Sequence, residues 1–322
     1  MKKDLGIFGL LVALCLITAS QNHHFFYAIN LINLSNIIGL FGIFSIGSGL
    51  VIIAGGIDLS IGSMIALVGV LLPMALREWH WPWPVAVAFV LFVPMFFGWC
   101  HGLLVTRLKI QPFIVTLCGL LIYRGMARYI TDDTTKGFGD AQGQGFGMLE
   151  RLSDGKLFGL PMPFVILIII TIIMWFVLHR SIYGRYLLAV GRNEDATRFS
   201  GINTRKVISS TYIVAGFLTG VSGILFAFWT RSISPANFGS FWETYGIAAA
   251  VLGGCSLRGG EGSIIGIVIG AAILQVLQNL VNLLGISSTL NYVVMGSVVL
   301  AGVIADQLLQ KRAAKKLVRA QK

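Results

Sequence analysis

Apolar runs of membrane-spanning length recur along the chain, separated by short polar clusters. A helix of about 20 apolar residues crosses the hydrocarbon core of a bilayer, which is about 30 Å thick. The runs cover residues 5–20, 31–54, 61–76, 84–105, 112–129, 162–178, 208–229, 245–255, 263–284 and 289–306. This pattern predicts an all-α polytopic membrane protein with about ten transmembrane helices. Residues 1–322 then form a single transmembrane domain.

The first and eighth runs each leave two interpretations open. Run 245–255 is too short to cross as a helix, so it either begins in the preceding loop or is a broken, re-entrant segment. Residues 1–20 could be a cleaved signal peptide, because Lys2 and Lys3 precede an apolar run that ends in small residues. They contain no A-x-A cleavage site, so we expect a retained first helix.

Composition supports the membrane assignment. Of the 322 residues, 56% are hydrophobic and 11% are charged, whereas a soluble domain is about 25% charged. The net charge of +11 arises from Lys and Arg between the apolar runs, without the aromatic residues that accompany basic ones in nucleic-acid sites. The four cysteines lie far apart inside apolar runs, which is typical of buried thiols and not of disulfides or metal ligands.

The positions of the basic residues predict the orientation. Lys and Arg are retained on the cytoplasmic side during insertion. Most of the 24 basic residues face the cytoplasm if both termini do, and two segments, 179–207 and the tail 307–322, are especially basic. Residues 130–161 then form an irregular periplasmic loop of a bacterial inner-membrane protein.

The basic segment 179–207 carries a helical pattern in its middle. Ala196 and Phe199 have helical spacing, Asn193 is a candidate N-cap, and Gly201 is a candidate stop. Such a helix could bind a peripheral partner, or the segment could be a surface loop that only satisfies the positive-inside rule.

Four segments, in order along the chain, resemble one transporter family. Residues 193–203 (NEDATRFSGIN) are similar to the coupling loop of ATP-binding-cassette permeases, with Thr197 at the usual second alanine. Residues 55–62 (GGIDLSIG), 112–117 (PFIVTL) followed by Arg124 and Gly125, and 253–262 (GGCSLRGGEG) resemble motifs of the ribose, xylose and galactose permeases, the carbohydrate uptake 2 branch. Cys255 replaces the threonine usual in the last motif.

This resemblance implies a permease subunit of an ATP-driven importer that takes up a monosaccharide. A partner ATPase would bind ATP and Mg²⁺, since this chain has no Walker A sequence and is expected to bind no cofactor or metal. The other implied partners are a periplasmic sugar-binding protein and a second permease subunit, identical or paralogous. The resemblance assigns coupling to the ATPase to Asn193, Glu194, Ala196, Arg198 and Gly201. The matching motifs also contain the candidates for the translocation path or its gate, which are Asp58, Ser60, Thr116, Arg124, Gly254 and Ser256.

Several of these residues also have a local interpretation. Asp58 is ionisable at membrane depth, which favours function, but Asp58 or Ser60 could equally cap the third helix. Arg124 and Arg128 share a helix face, so they either reach the headgroups or pair inside the protein. The similarity of 51–67 to 249–266 suggests a weak internal repeat at the inner membrane face, and Glu243 and Glu261 are expected in loops.

Two other classes of protein remain as alternatives. An ion-coupled secondary transporter needs ionisable residues within its spans, and Asp58 is the one candidate that the sequence offers. An intramembrane enzyme needs paired acids, a nucleophile with a base, or a metal motif, and none of these patterns is present. We therefore predict no catalytic residue.

Overall fold

Helices form most of the protein in the computed structural model, which describes residues 2–139, 146–287, 290, 293–294, 296–297, 300 and 304. The helices are α1 (Lys2–Gln21), α2 (Ala28–Ile53), α3 (Ile61–Pro73), α4 (Trp83–Arg107), α5 (Pro112–Ile130), α6 (Phe146–Asp154), α7 (Met162–Arg180), α8 (Ile182–Arg192), α9 (Glu194–Phe199), α10 (Thr204–Thr230), α11 (Trp242–Leu252) and α12 (Ile264–Leu283). A 3₁₀ turn (His23–Phe26) precedes α2, and a π-helical turn (Met74–Glu78) continues α3. The strands are β1 (Lys136–Gly137), β2 (Lys156–Leu157), β3 (Leu160–Pro161) and β4 (Ser232–Ile233).

Seven helical segments of the described chain are long and apolar enough to cross a membrane. They are Ala28–Ile53, Ile61–Glu78, Trp83–Arg107, Pro112–Ile130, Met162–Arg180, Thr204–Thr230 and Ile264–Leu283. The apolar part of α1, Leu5–Gln21, is shorter. Helix α11 has 11 residues, which at 1.5 Å per residue is about 16 Å and half of the hydrocarbon core. The expected run 289–306 lies largely, and the tail 307–322 wholly, outside the described residues.

Helices α2 and α10 form the centre of the structure. Every residue from Gly39 to Ile53 of α2 is buried, and α10 packs against α2, α3 and α4. Small residues permit the close contact of α4 with α10, because a Cβ on Gly98 would overlap the Tyr212 carbonyl and one on Gly216 would overlap the Pro94 carbonyl. Close packing on glycine is typical of membrane helices, where burial of apolar surface gives little net attraction.

Contacts divide the loops between two faces. On one face, β1 pairs with β4, Lys136 lies 2.7 Å from Glu78, and Arg231 lies 2.6 Å from Glu150. On the other, which we call the basic face, lie the loops 54–60, 108–111, 181–203 and 253–263. There Lys109 lies 3.3 Å from Glu194. Successive loops of the structure therefore lie alternately on the two faces, as the positions of the basic residues predict.

Two connecting segments contain more structure than we predicted. Residues 130–161, expected to be irregular, contain α6 and a β2–β3 hairpin among their described positions. The basic segment 179–207 contains α8 in addition to the expected short helix. Helix α8 is amphipathic and buries Gly184, Leu187 and Val190 at a spacing of three residues, a pattern that was visible in the sequence.

The two segments of the suspected internal repeat end their first helices in the same way. Helix α2 ends with Gly55 at φ +86°, and α11 ends with Gly254 at φ +85°. At both ends the following amide bonds back five residues, from Gly56 to the Val51 carbonyl and from Cys255 to the Ala250 carbonyl, each at 2.9 Å. This is the Schellman motif, which requires a left-handed residue and so favours glycine.

The division into two faces predicts the labelling of introduced cysteines. In a variant without the four native cysteines, single cysteines at Asp133 or Phe158 should react with an impermeant maleimide in intact cells. Cysteines at Ser200 or Arg258 should react only after permeabilisation, because these residues belong to the basic face, predicted to be cytoplasmic. Labelling of one position from each face in intact cells would refute the grouping.

Candidate functional site

Asp58 lies in the break between α2 and α3 and is almost completely buried. Its Oδ1 accepts hydrogen bonds from the Ser60 backbone N–H at 2.8 Å and from the Ser60 hydroxyl at 2.6 Å. Ser60 is the residue at the N-cap position of α3, but its hydroxyl donates to Asp58 and caps no N–H group of the helix. The Asp58 carboxylate instead fixes the turn that precedes the helix, so neither side chain is the N-cap acceptor.

Thr116 connects the same break to α5. Its hydroxyl lies 3.1 Å from the carbonyl oxygen of Ile57, the residue before Asp58, and 2.9 Å from that of Pro112. Three of the predicted path residues, Asp58, Ser60 and Thr116, therefore belong to one cluster. Asp58 and Ser60 lie on non-helical backbone that is largely enclosed by protein, a setting that a bilayer tolerates for such backbone.

Three residues that we did not predict complete this cluster. His101 of α4 is hydrogen-bonded through Nε2 to the Tyr123 hydroxyl at 2.7 Å, and its ring meets that of Tyr212 edge-on. The Asp58 carboxylate is within electrostatic reach of all three. His101 lies about 9 Å along α4 from its last residue, Arg107, so the cluster is within the helical bundle.

The cluster contains two unsatisfied polar atoms. His101 Nδ1 and the Tyr212 hydroxyl are buried and have no hydrogen-bond partner among the described residues. A histidine inside an apolar run was the available sequence signal, since ionisable residues in spans are functional candidates by default. Our statement that Asp58 is the one ionisable candidate in the spans was therefore incomplete.

Arg124 follows Tyr123 in α5, but its guanidinium bonds to a different segment from the α2–α3 break. Its Nη1 donates to the carbonyls of Pro235 and Phe238 at 2.9 and 2.6 Å. These carbonyls belong to residues 234–241, a non-helical segment between β4 and α11. Arg124 thus satisfies backbone acceptors that no helix or strand satisfies.

Two other charged groups near Arg124 also have partners within the chain. Arg128 donates to both carboxylate oxygens of Asp133, at 3.0 and 2.7 Å, and these hydrogen bonds lower the pKa of Asp133 below its ordinary value. The prediction that Glu243 lies in a loop was wrong. Glu243 is buried in the first turn of α11, within electrostatic reach of Arg124. Arg124 is thus paired inside the protein, whereas Arg128 pairs with Asp133 on the exposed surface.

Gly254 and Ser256 lie in the α11–α12 loop on the basic face. Gly254 forms the left-handed end of α11, and the Ser256 carbonyl accepts from the Gly259 N–H at 2.9 Å. This loop contacts the α2–α3 loop through Gly259 and Gly260 and not through Asp58. The six predicted path residues therefore occupy three separate places.

Helix α9 has the ends that the sequence predicts. The Asn193 Oδ1 accepts from the Ala196 N–H at 2.8 Å, and Gly201 follows the helix at φ +83°. Glu194 connects the helix to its surroundings through Lys109 at 3.3 Å and Thr204 at 3.2 Å. The buried Thr197 donates to the Asn193 carbonyl, so threonine replaces the usual alanine without loss of packing.

The outer side of α9 is open to a partner. Phe199 is 85% exposed, and Arg198 is exposed beside it, pairing with Asp195 at 2.7 Å. An exposed aromatic ring next to an arginine is the composition that protein interfaces favour.

These features define a class of protein: a multi-pass helical membrane protein with broken helices in its core and a capped helix on its basic face. The chain belongs to the family described as the permease component of the branched-chain amino acid transport system, whose model matches residues 30–303. This confirms the resemblance to transporter permeases found in the sequence.

Curated relatives match along nearly the whole chain. The ribose import permease of Haemophilus influenzae is 34% identical over 93% of this chain and 91% of its own length. The ribose import permease of Bacillus subtilis is 36% identical over 95% of this chain and 93% of its own. The galactofuranose transporter permease of Escherichia coli is 34% identical over 81% of this chain and 75% of its own length. No solved structure matches the chain.

The role of Asp58 in the helix break can be separated from its charge. Asp58→Ala removes the oxygen that accepts from Ser60 and should reduce stability by about 1–2 kcal/mol. Asp58→Asn retains an oxygen that can accept from Ser60, so this variant should lose much less stability. Thermal unfolding of the purified variants in detergent measures both. Equal losses for the two variants would show that the carboxylate charge, and not the hydrogen bonding to Ser60, stabilises the break.

Proposed function

We propose that this chain is the membrane-spanning permease subunit of an ATP-driven importer that brings a neutral monosaccharide into the cytoplasm. The observation that carries the proposal is similarity to ribose import permeases along more than nine tenths of the chain. The exposed and capped helix α9 supports it, because a partner ATPase needs a rigid projection to bind.

A neutral solute fits the charges inside the bundle. The Asp58 carboxylate accepts a hydrogen bond from Ser60, and Arg124 donates to two backbone carbonyls, so both charged groups already have partners within the protein. A charged solute would need further compensating groups along its path. Serine, threonine, asparagine, glycine and aromatic side chains are the lining that we expect for a sugar.

The orientation and the partners follow from the same proposal. The basic face is cytoplasmic and binds the ATPase through Asn193, Glu194, Ala196, Arg198 and Gly201. A periplasmic sugar-binding protein docks on the opposite face, and a second permease subunit completes the pore. ATP and Mg²⁺ bind to the ATPase, and this chain lies in the inner membrane with both termini in the cytoplasm.

Uptake by a deletion strain tests the proposal. Uptake of at least one of a panel of radiolabelled pentoses and hexoses should be lost and then restored by this chain. It should persist when a protonophore collapses the proton gradient while ATP is maintained. Loss of leucine uptake alone would indicate the solute named in the family's description. Uptake that stops with the protonophore would favour an ion-coupled transporter.

The coupling role of α9 predicts the effect of a change at Gly201. A β-branched residue at its left-handed φ is strained by about 1–2 kcal/mol, although a Cβ there meets no described atom within 4 Å. Gly201→Val should leave abundance nearly unchanged and reduce uptake sharply. Phe199→Ala should act similarly, by weakening ATPase binding without backbone strain.

Gly159 provides the matched control. It has the same φ of +83° and is equally open, but it lies on the opposite face. Gly159→Val should therefore leave binding of the ATPase unchanged, whereas Gly201→Val should weaken it. Normal uptake by Gly201→Val and by Ala196→Asp would exclude coupling through α9.

A further inference from the structure

Three stretches of backbone approach one another closely on the basic face. They are the last turn of α8 at Gly191, the end of α2 at residues 53–55, and the α11–α12 loop at Gly259 and Gly260. We call this contact the glycine junction. The Gly260 N–H donates to the Ile53 carbonyl at 2.9 Å. A Cβ on Gly191 would overlap both that carbonyl and the Gly260 nitrogen.

Gly259 and Gly260 are also constrained. A Cβ on Gly259 would lie 2.7 Å from the Gly191 carbonyl oxygen and 2.9 Å from the Gly55 Cα. A Cβ on Gly260 would overlap the Arg192 side chain at Cγ and would lie 2.7 Å from the Arg192 backbone nitrogen. The Arg192 side chain can rotate away, but contacts below 3.0 Å with backbone atoms require one of the backbones to shift. The junction is therefore stiffer than a contact between side chains.

The junction is directly connected to α9. Asn193 is the single residue between α8 and α9, and its N–H donates to the Ala189 carbonyl at 3.0 Å while its side chain caps α9. Helix α8 also buries Leu187 and Val190 against the core. A displacement of α9 therefore moves the end of α8, which touches the junction.

On its other side, the glycine junction adjoins the α2–α3 loop and the α11–α12 loop. The loop that leaves Gly55 carries Asp58 and Ser60 to the start of α3. Gly62, in the first turn of α3, packs directly against the Gly239 carbonyl in the segment that Arg124 holds. The loop that carries Gly260 leads to Ser263, which caps α12.

We propose that the glycine junction is where movement of the partner ATPase enters the membrane core. Gly191, Gly259 and Gly260 are positioning residues that make α8, α9 and the two glycine loops move as one body. This inference rests on the proposed coupling role of α9. It adds that the α2–α3 and α11–α12 loops receive the movement together.

Gly191→Ala tests the junction in the reconstituted importer with its ATPase and binding protein. ATPase binding should be retained, because α9 is unchanged. The number of sugar molecules transported per ATP hydrolysed should fall about tenfold. Gly147→Ala is the control, since Gly147 is an exposed helical glycine on the opposite face with no described atom within 4 Å of a Cβ. An unchanged ratio of transport to hydrolysis in Gly191→Ala would overturn the inference.

A distance measurement applies even if Gly191→Ala does not accumulate. Spin labels at Asp195 and Arg258, both exposed, report on α9 and on the α11–α12 loop. Their separation should remain constant between the nucleotide-free complex and the complex trapped with ATP. The separation between Arg258 and Phe158 on the opposite face should change. A change in the first distance as large as in the second would show that the loops do not follow α9.

The two proposals fail in different ways. If the unmodified complex transports no sugar, the proposed function is wrong. If it transports sugar, and neither Gly191→Ala nor the spin labels behave as expected, the junction alone is wrong.

Discussion

Every backbone N–H and C=O within a bilayer must find a partner inside the protein, because lipid offers none. Among the described residues, the ends of α2 and α11 and the segment before α11 leave helical backbone, and each has its own partners. Asp58 accepts from Ser60 just before α3, Arg124 donates to two carbonyls before α11, and Gly55 and Gly254 close the ends of α2 and α11 with Schellman bonds. The charged residues of the core are thus first of all partners for backbone.

Close approach of backbones follows from the same constraint. Helices in lipid associate through van der Waals packing and hydrogen bonds. Glycine at a contact strengthens both interactions because it lets the two backbones approach closely. Gly98 and Gly216 bring α4 against α10, and Gly191 brings α8 against the two glycine loops. Contacts of this kind have few alternative arrangements, since a backbone cannot change rotamer. A permease that must transmit force over tens of ångströms has a use for such stiffness.

The sequence predicts local features well and long-range partners poorly. The apolar runs, the cap at Asn193, the left-handed Gly201 and the shortness of α11 each depend on a few neighbouring residues. The partners of Arg124 lie more than a hundred residues away, and the contact between His101 and Tyr123 joins two helices. No spacing rule indicates such pairs. Helix α8 was a different case: its amphipathic period was present, but the basic charge of the segment favoured a loop.

The burial of the Asp58 cluster bears on where a solute can pass. Asp58, His101, Tyr123 and Tyr212 come from a loop and three helices and are almost inaccessible within one chain. A monosaccharide could touch them only if α4, α5 or α10 separated from the α2–α3 loop. In this conformation the cluster instead holds that loop in place.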